Sequence, residues 1–214
     1  MEAGGQMIIN RKSCSEIKIL YILCSKVNTY DLIDFHCQYS SDHLLFKEGR
    51  SLMGEGVFLS YEIEDAKKLN RLKKVHYVEC SGPSLVSQDF KEVFKEQEER
   101  GEVEFFEVDI RCGGQPVGGF YAINALNKVG CTNMAVSEYS ISNFDLNNPQ
   151  YDFDYQVLYD EIGGLDIAIC AEMPRELVVS KTLVDKIKIN KIKGFVLYST
   201  LDMTMKNRSI FLNI

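Results

Sequence analysis

Three observations predict an α+β fold for this chain, with a mixed or mainly antiparallel sheet, few helices and two closely packed lobes. Short apolar runs bounded by turn residues fill the first third of the sequence. Two later stretches, Ser84-Leu-Val-Ser-Gln-Asp-Phe-Lys-Glu-Val-Phe94 and Glu176-Leu-Val-Val-Ser-Lys-Thr-Leu-Val-Asp-Lys-Ile187, repeat one strand-to-helix arrangement. The composition is globular: 214 residues, 45% hydrophobic and 26% charged. Folding a chain of this length removes roughly 70% of its surface from water, enough for a core without disulfides or metal.

The runs Ile17–Leu23, Leu32–Tyr39, Leu44–Phe46 and Val57–Ile63 read as strands, separated by Asn28, Ser40-Ser41-Asp42 and the Gly49–Gly56 segment. Glu64–Lys74 reads as a helix, because Ala66, Leu69 and Leu72 recur every third residue. Val75–Cys80 is a further strand, closed by Ser81-Gly82-Pro83. That turn suggests an N-terminal β-rich lobe over 1–82 and a strand–helix–strand lobe over 83–214.

In the first copy, Leu85-Val86 ends an extended stretch and Ser87 suits a helix N-cap, with Asp89 in the first turn. Phe90, Val93 and Phe94 make an apolar stripe, Lys95–Arg100 a solvated face, and Gly101 a C-terminal stop. The second copy keeps register, with Ser180 as cap, Leu183 and Ile187 at the Phe90 and Phe94 positions, and Gly194 as the stop. Val196 and Tyr198 are then expected to repeat Val103 and Phe105. Lys186–Lys193 alternates with period two, so only its first half is assigned to helix. A duplication and two independent capped helices account equally well for the pair. Between the copies, Arg111–Gly119 reads as a glycine-rich hairpin connection and Phe120–Leu126 as a strand.

Net charge is −7 at pH 7, which disfavours nucleic acid and anionic membranes, since both need Lys and Arg. Seven cysteines without a Cys-x-x-Cys pair indicate a reducing compartment. The N-terminus reads as neither a secretory signal nor a membrane span, which leads to the expectation of a cytoplasmic protein.

The search for reaction chemistry returns little. The 113–119 loop lacks the Lys-Ser/Thr of a phosphate-binding loop. His36-Cys37 are strand neighbours and so point to opposite faces. Asp145–Asp154 fails the calcium-loop template, with Pro149 at a ligand position and Gln156 in place of the closing glutamate. Neither cofactor nor metal is expected. From Val129 to Pro174 the chain has no Lys or Arg, yet Asp145, Asp152, Asp154, Asp160 and Glu161 interleave with Tyr151, Tyr155 and other tyrosines. Two readings stand for this segment: a binding patch for a basic protein, or a loop with half-buried tyrosines.

The order of five short motifs carries a resemblance. Leu85-Val-Ser with its helix, Glu104-Phe-Phe-Glu-Val108 and Gly119-Phe-Tyr-Ala-Ile-Asn-Ala-Leu-Asn127 come first. Val136-Ser-Glu-Tyr139 follows, and Leu177-Val-Val-Ser with its helix and Lys193-Gly-Phe195 closes the series. The chain resembles bacterial immunity proteins of polymorphic toxin systems, first catalogued as a domain of unknown function. The likeness covers about residues 76–200. It implies a non-enzymatic cytoplasmic protein that binds and neutralises the C-terminal domain of one cognate toxin. On charge alone, the toxin-facing residues are expected among Asp145, Tyr151, Asp152, Asp154, Tyr155, Asp160 and Glu161, and the toxin domain is expected to be basic. The competing classes are a cysteine-dependent hydrolase using Cys112 or Cys37 and a small-molecule sensor with a dry pocket.

Overall fold

The computed structural model describes residues 20–25, 29–142, 150–159 and 162–199. In chain order its first elements are β1 (Leu20–Ser25), β2 (Asp34–Phe35), β3 (Ser60–Ile63), α1 (Ala66–Leu72), β4 (Tyr77–Val78) and β5 (Leu85–Ser87). The short helices α2 (Gln88–Val93) and α3 (Lys95–Glu99) follow, then β6 (Val103–Glu107), β7 (Asp109–Cys112), β8 (Gln115–Pro116) and β9 (Phe120–Ala125). The remainder comprises β10 (Lys128–Val129), β11 (Glu138–Ser142), β12 (Gln150–Tyr155), β13 (Ile167–Cys170), β14 (Leu177–Ser180), α4 (Lys181–Ile189) and β15 (Phe195–Ser199). Their arrangement is α+β, with mixed and antiparallel sheets.

The repeated sequence is a repeated topology. β5 and β6 both run antiparallel to β9, which lies between them. β14 and β15 likewise both run antiparallel to β1. Each helical unit therefore joins two parallel strands, a connection too long for a hairpin, and the slot between them is filled by a strand from elsewhere in the chain. Both serines cap as expected: Ser87 Oγ accepts the Phe90 N–H at 3.2 Å and Ser180 Oγ accepts the Leu183 N–H at 3.2 Å. Each hydroxyl also reaches outward, Ser87 to His76 Nδ1 at 2.7 Å and Ser180 to Asp166 Oδ1 at 2.5 Å.

One expected equivalence fails. Val103 and Phe105 face the helices in the first unit, but Phe195 and Leu197 do so in the second, while Tyr198 packs on the opposite side. The strand pairings explain the slip. Ser87 lies opposite Phe120 and Val103 opposite Ala125, whereas Ser180 lies opposite Leu20 and Val196 opposite Cys24. The second return strand is thus offset by one residue, and a one-residue shift exchanges the faces. The return paths differ to match. The first helix breaks at Phe94 into α2 and α3, while α4 runs unbroken to Ile189, and Lys191 then turns the chain at φ 55°. The alternating Lys186–Lys193 stretch resolves accordingly, with Ile187 and Ile192 buried and Ile189 exposed.

Both larger sheets are covered on two faces. One face of the five-stranded sheet (order β10-β13-β14-β1-β15) and one face of the four-stranded sheet β4-β5-β9-β6 enclose α2 and α4. Here Phe90 stacks on Phe94 at 4.4 Å and meets Phe195 edge-on at 6.2 Å. The far side of the four-stranded sheet packs Leu85, Phe120 and Ala122 on Tyr61, Ile63 and Ile110 of the β2-β3-β7-β8 sheet. The far side of the five-stranded sheet buries Leu20, Ile22, Ala168, Cys170 and Val178 under the segment carrying Cys131, Leu158 and Ile162. Val78 in β4 and Leu85 in β5 pair across the turn that holds Gly82 and Pro83.

Two further expectations change. Leu44–Phe46 forms no strand; it lies in a 3₁₀ turn, His43–Lys47, nucleated when the Asp42 carboxylate accepts the Leu44 N–H at 2.9 Å. Leu32–Tyr39 keeps only β2 as strand, and Cys37 opens another 3₁₀ turn. The glycine-rich loop does make a hairpin: Gly113 and Gly114, both at positive φ, join β7 to β8 in two residues.

Candidate functional site

The acidic, tyrosine-bearing segment folds as a two-stranded antiparallel ribbon, β11 with β12. Alternation along a strand sends successive side chains to opposite faces, so residues adjacent in sequence separate in space. Tyr139 lies opposite Phe153 and Ile141 opposite Tyr151, which puts all four on one face. Their rings touch: Tyr139 is 5.5 Å from Tyr151 and 5.6 Å from Phe153, centroid to centroid. Phe153 is buried beneath this pair, while Tyr139 is 38% and Ile141 47% exposed. Val136 and Tyr159, near the ribbon's base, are also exposed.

The carboxylates go elsewhere. Asp152 pairs with Ser140 on the ribbon's other face, and Asp154 is the extra residue of a bulge between Glu138 and Tyr139. Both are exposed. Tyr155, opposite Glu138, is half-buried at the base. Of the candidates named from sequence, Tyr151, Asp152, Asp154 and Tyr155 therefore share one ribbon but not one face. Asp145, Asp160 and Glu161 lie outside the described residues. Ile141 and Tyr139 complete the aromatic face, and the period-two pattern Tyr-Asp-Phe-Asp-Tyr over 151–155 is the signal that separates the faces.

The ribbon is anchored at its foot. The Asn133 N–H donates to Val157 O at 2.7 Å, the Tyr159 N–H to Cys131 O at 2.7 Å, and the Val157 N–H to Ser137 Oγ at 3.0 Å. Gln156 Nε2 donates to Thr132 Oγ1 at 2.8 Å in the buried layer below. Among the described residues, β11 and β12 pair only with each other, and an isolated two-stranded ribbon is only marginally stable in water.

No triad emerges at His76, although it has serine and aspartate for neighbours. Ser87 Oγ at 2.7 Å and Asp89 Oδ2 at 3.9 Å both approach Nδ1, whereas a relay needs them on different ring nitrogens. Burial also lowers the His76 pKa, only partly offset by Asp89, and Ser87 is committed as a helix cap. Burial pushes the Cys80 thiol up to about 12, which removes it as a nucleophile. An open groove of about 700 Å³ runs between α2–α3 and α4, but Asp89, Glu92, Glu96, Glu99, Lys186 and Lys191 line it. Charged walls of both signs do not make the dry pocket expected of a small-molecule sensor. Cys131, Cys170 and Glu172 bring three ligand-type atoms together beside the ribbon's foot.

The family model described as "Immunity protein family (Imm11)" matches residues 46–202. The chain belongs to this family. The matched region takes in both helical units and the whole ribbon, and starts upstream of the motifs that carried the resemblance. No curated protein matches the chain. Membership gives this immunity protein a toxin as its general class of partner. Among the described residues no helix is long and apolar enough to cross a membrane.

Proposed function

We propose that this chain binds one cognate toxin domain in the cytoplasm of the producing cell and neutralises it by non-covalent occlusion, with the β11–β12 ribbon as the docking element. The observation that carries the reading is the face of exposed Tyr139 and Ile141 beside half-buried Tyr151 on a two-stranded ribbon. Tyrosine gives large contact area at low entropic cost and dominates interface energetics. Glu138 and the bulge residue Asp154 at the ribbon's base, and Asp152 on its reverse face, add exposed negative charge within a segment that has no Lys or Arg from Val129 to Pro174. Charge on the ribbon as a whole steers a basic surface towards it and raises the association rate. Occlusion needs no catalytic group on this chain.

Co-expression with the cognate toxin domain tests the function. Restored growth and a stoichiometric complex are expected, with Tyr139→Ala/Tyr151→Ala weakening both. A variant that protects cells as well as the parent would move the interface off the ribbon. Toxin turnover or covalent modification in the mixture would instead support a catalytic protein.

A further inference from the structure

We propose that Cys131, Cys170 and Glu172 form a divalent-metal site of the zinc class, with Gln156 beside its fourth position. The fold delivers the three residues from two segments. β10 and β13 pair in parallel with Val129 opposite Cys170, and the Ala171 N–H donates to Val129 O at 2.8 Å. The chain leaving β10 therefore passes Cys131 over the end of β13. Both cysteines are fully buried, and all three ligand atoms lie within 4.8 Å of one another.

The spacing suits one ion. Cys170 Sγ is 3.3 Å and Cys131 Sγ 3.9 Å from the same oxygen, Glu172 Oε2. Metal–sulfur bonds of about 2.3 Å and metal–oxygen bonds of about 2.1 Å in a tetrahedron put sulfur and oxygen about 3.6 Å apart, between those two values. The Cys131 N–H donates to this oxygen at 3.3 Å and orients it. Two thiolates with a carboxylate favour zinc over magnesium or calcium, which take oxygen ligands.

Two features of the site point to a cation. Thiols are weak donors, so they compensate a partly buried carboxylate poorly. Gln156, 1% exposed, has its Oε1 buried without a hydrogen-bond partner, while its Nε2 lies 3.8 Å from Cys170 Sγ. A half-turn of the terminal amide would bring Oε1 to the position now held by Nε2, facing Cys170 Sγ, as a fourth ligand or as acceptor for a metal-bound water. Apolar Leu20, Ile22, Leu158 and Val178 surround the group, and half-buried Glu172 leaves an entry path.

Binding forms two metal–sulfur bonds and one metal–oxygen bond, and both thiol protons leave to solvent. The ion would also fasten the ribbon's foot, since Cys131 O accepts the Tyr159 N–H and Thr132 bridges to Leu158. That consequence for toxin binding rests on the ribbon reading; the metal site itself does not.

The test titrates reduced, chelator-stripped full-length protein with Co²⁺ and then Zn²⁺ in the absence of any toxin. One ion per chain, a thiolate-to-cobalt charge-transfer band, two protons released per ion and protection of two thiols from alkylation are expected. Zn²⁺ at 100 times its dissociation constant should lower the unfolding equilibrium constant about 100-fold. Cys131→Ala and Cys170→Ala should abolish the band, and the shape-conserving Glu172→Gln should weaken binding at least 10-fold. Cys37→Ser should change nothing. Absence of the band in the folded parent, or binding that survives the two alanine variants, would overturn the proposal. So would a Cys131–Cys170 disulfide that forms in air with no metal taken up by the reduced protein.

Discussion

Ser180 is held to do two jobs, capping α4 and donating to Asp166, and the two can be separated energetically. Losing a serine cap costs about 1 kcal/mol. Losing a hydrogen bond to a buried carboxylate adds about 2 kcal/mol. Ser180→Ala should therefore destabilise by about 3 kcal/mol in urea unfolding at pH 7, a factor of roughly 150 in the unfolding constant. Asp166 is 9% exposed and also receives Gln97 Nε2 at 3.0 Å and Arg100, so Asp166→Ala is costly by itself. In that background only the cap remains to be lost, and Ser180→Ala should cost about 1 kcal/mol. The double-mutant coupling is thus about 2 kcal/mol. Ser87→Ala is the control: its partners are Phe90 and His76, so it should add to Asp166→Ala within about 0.5 kcal/mol. Additivity of Ser180→Ala with Asp166→Ala would refute the bridging role.

Other outcomes follow from the same geometry. Burial pushes the Asp166 carboxyl up, but hydrogen bonds from Ser180, Gln97 and Arg100 outweigh it and hold the group below its usual range. Its folded value thus lies under the unfolded one, near 3.9, so its contribution is present above about pH 4 and fades as pH falls through the folded value. Asp166→Asn should flatten that part of the acid-unfolding curve, and an unaltered curve would remove Asp166 from the account. Gly194 has φ 89°, and a Cβ there would sit 2.7 Å from Val75 Cα. Gly194→Ala should cost about 2 kcal/mol or more and lower the melting temperature by about 4–8 °C. Gly101→Ala, at φ 69° with open space around it, should cost about 1 kcal/mol. At pH 8, exposed Cys37 should alkylate quickly and Cys80 only as the fold opens; fast labelling of Cys80 would contradict its burial.

Local signals made much of the fold legible. Ser87 and Ser180 cap helices because their hydroxyls satisfy orphan N–H groups, a requirement that acts within four residues. Gly113-Gly114 fixes a hairpin for a similarly local reason. The slip that puts Phe195 and Leu197 in the core was not legible, because it depends on how β15 registers against β1, about 170 residues away in sequence. Asp42 converting Leu44–Phe46 from strand to 3₁₀ turn is a side-chain cap competing with hydrophobic pattern. For the candidate site, composition revealed the acidic, tyrosine-bearing segment but joined carboxylates and rings into one patch. Strand alternation places Asp152 on the reverse of the face that holds Tyr139, Tyr151 and Phe153. The cluster of Cys131, Cys170 and Glu172 had no sequence signature, since parallel pairing of β10 with β13 brings residues about forty apart into contact.

The ribbon's role as docking element is tested most directly by the kinetics of binding to the cognate toxin domain, measured with two paired variants over a range of salt. Tyr139→Ala/Tyr151→Ala should weaken the complex about 100-fold, almost entirely through faster dissociation. Asp152→Lys/Asp154→Lys should slow association of a basic domain by about 10-fold at low salt, with the difference closing as salt rises. Parental affinity and rates in both variants would place the interface elsewhere on the molecule.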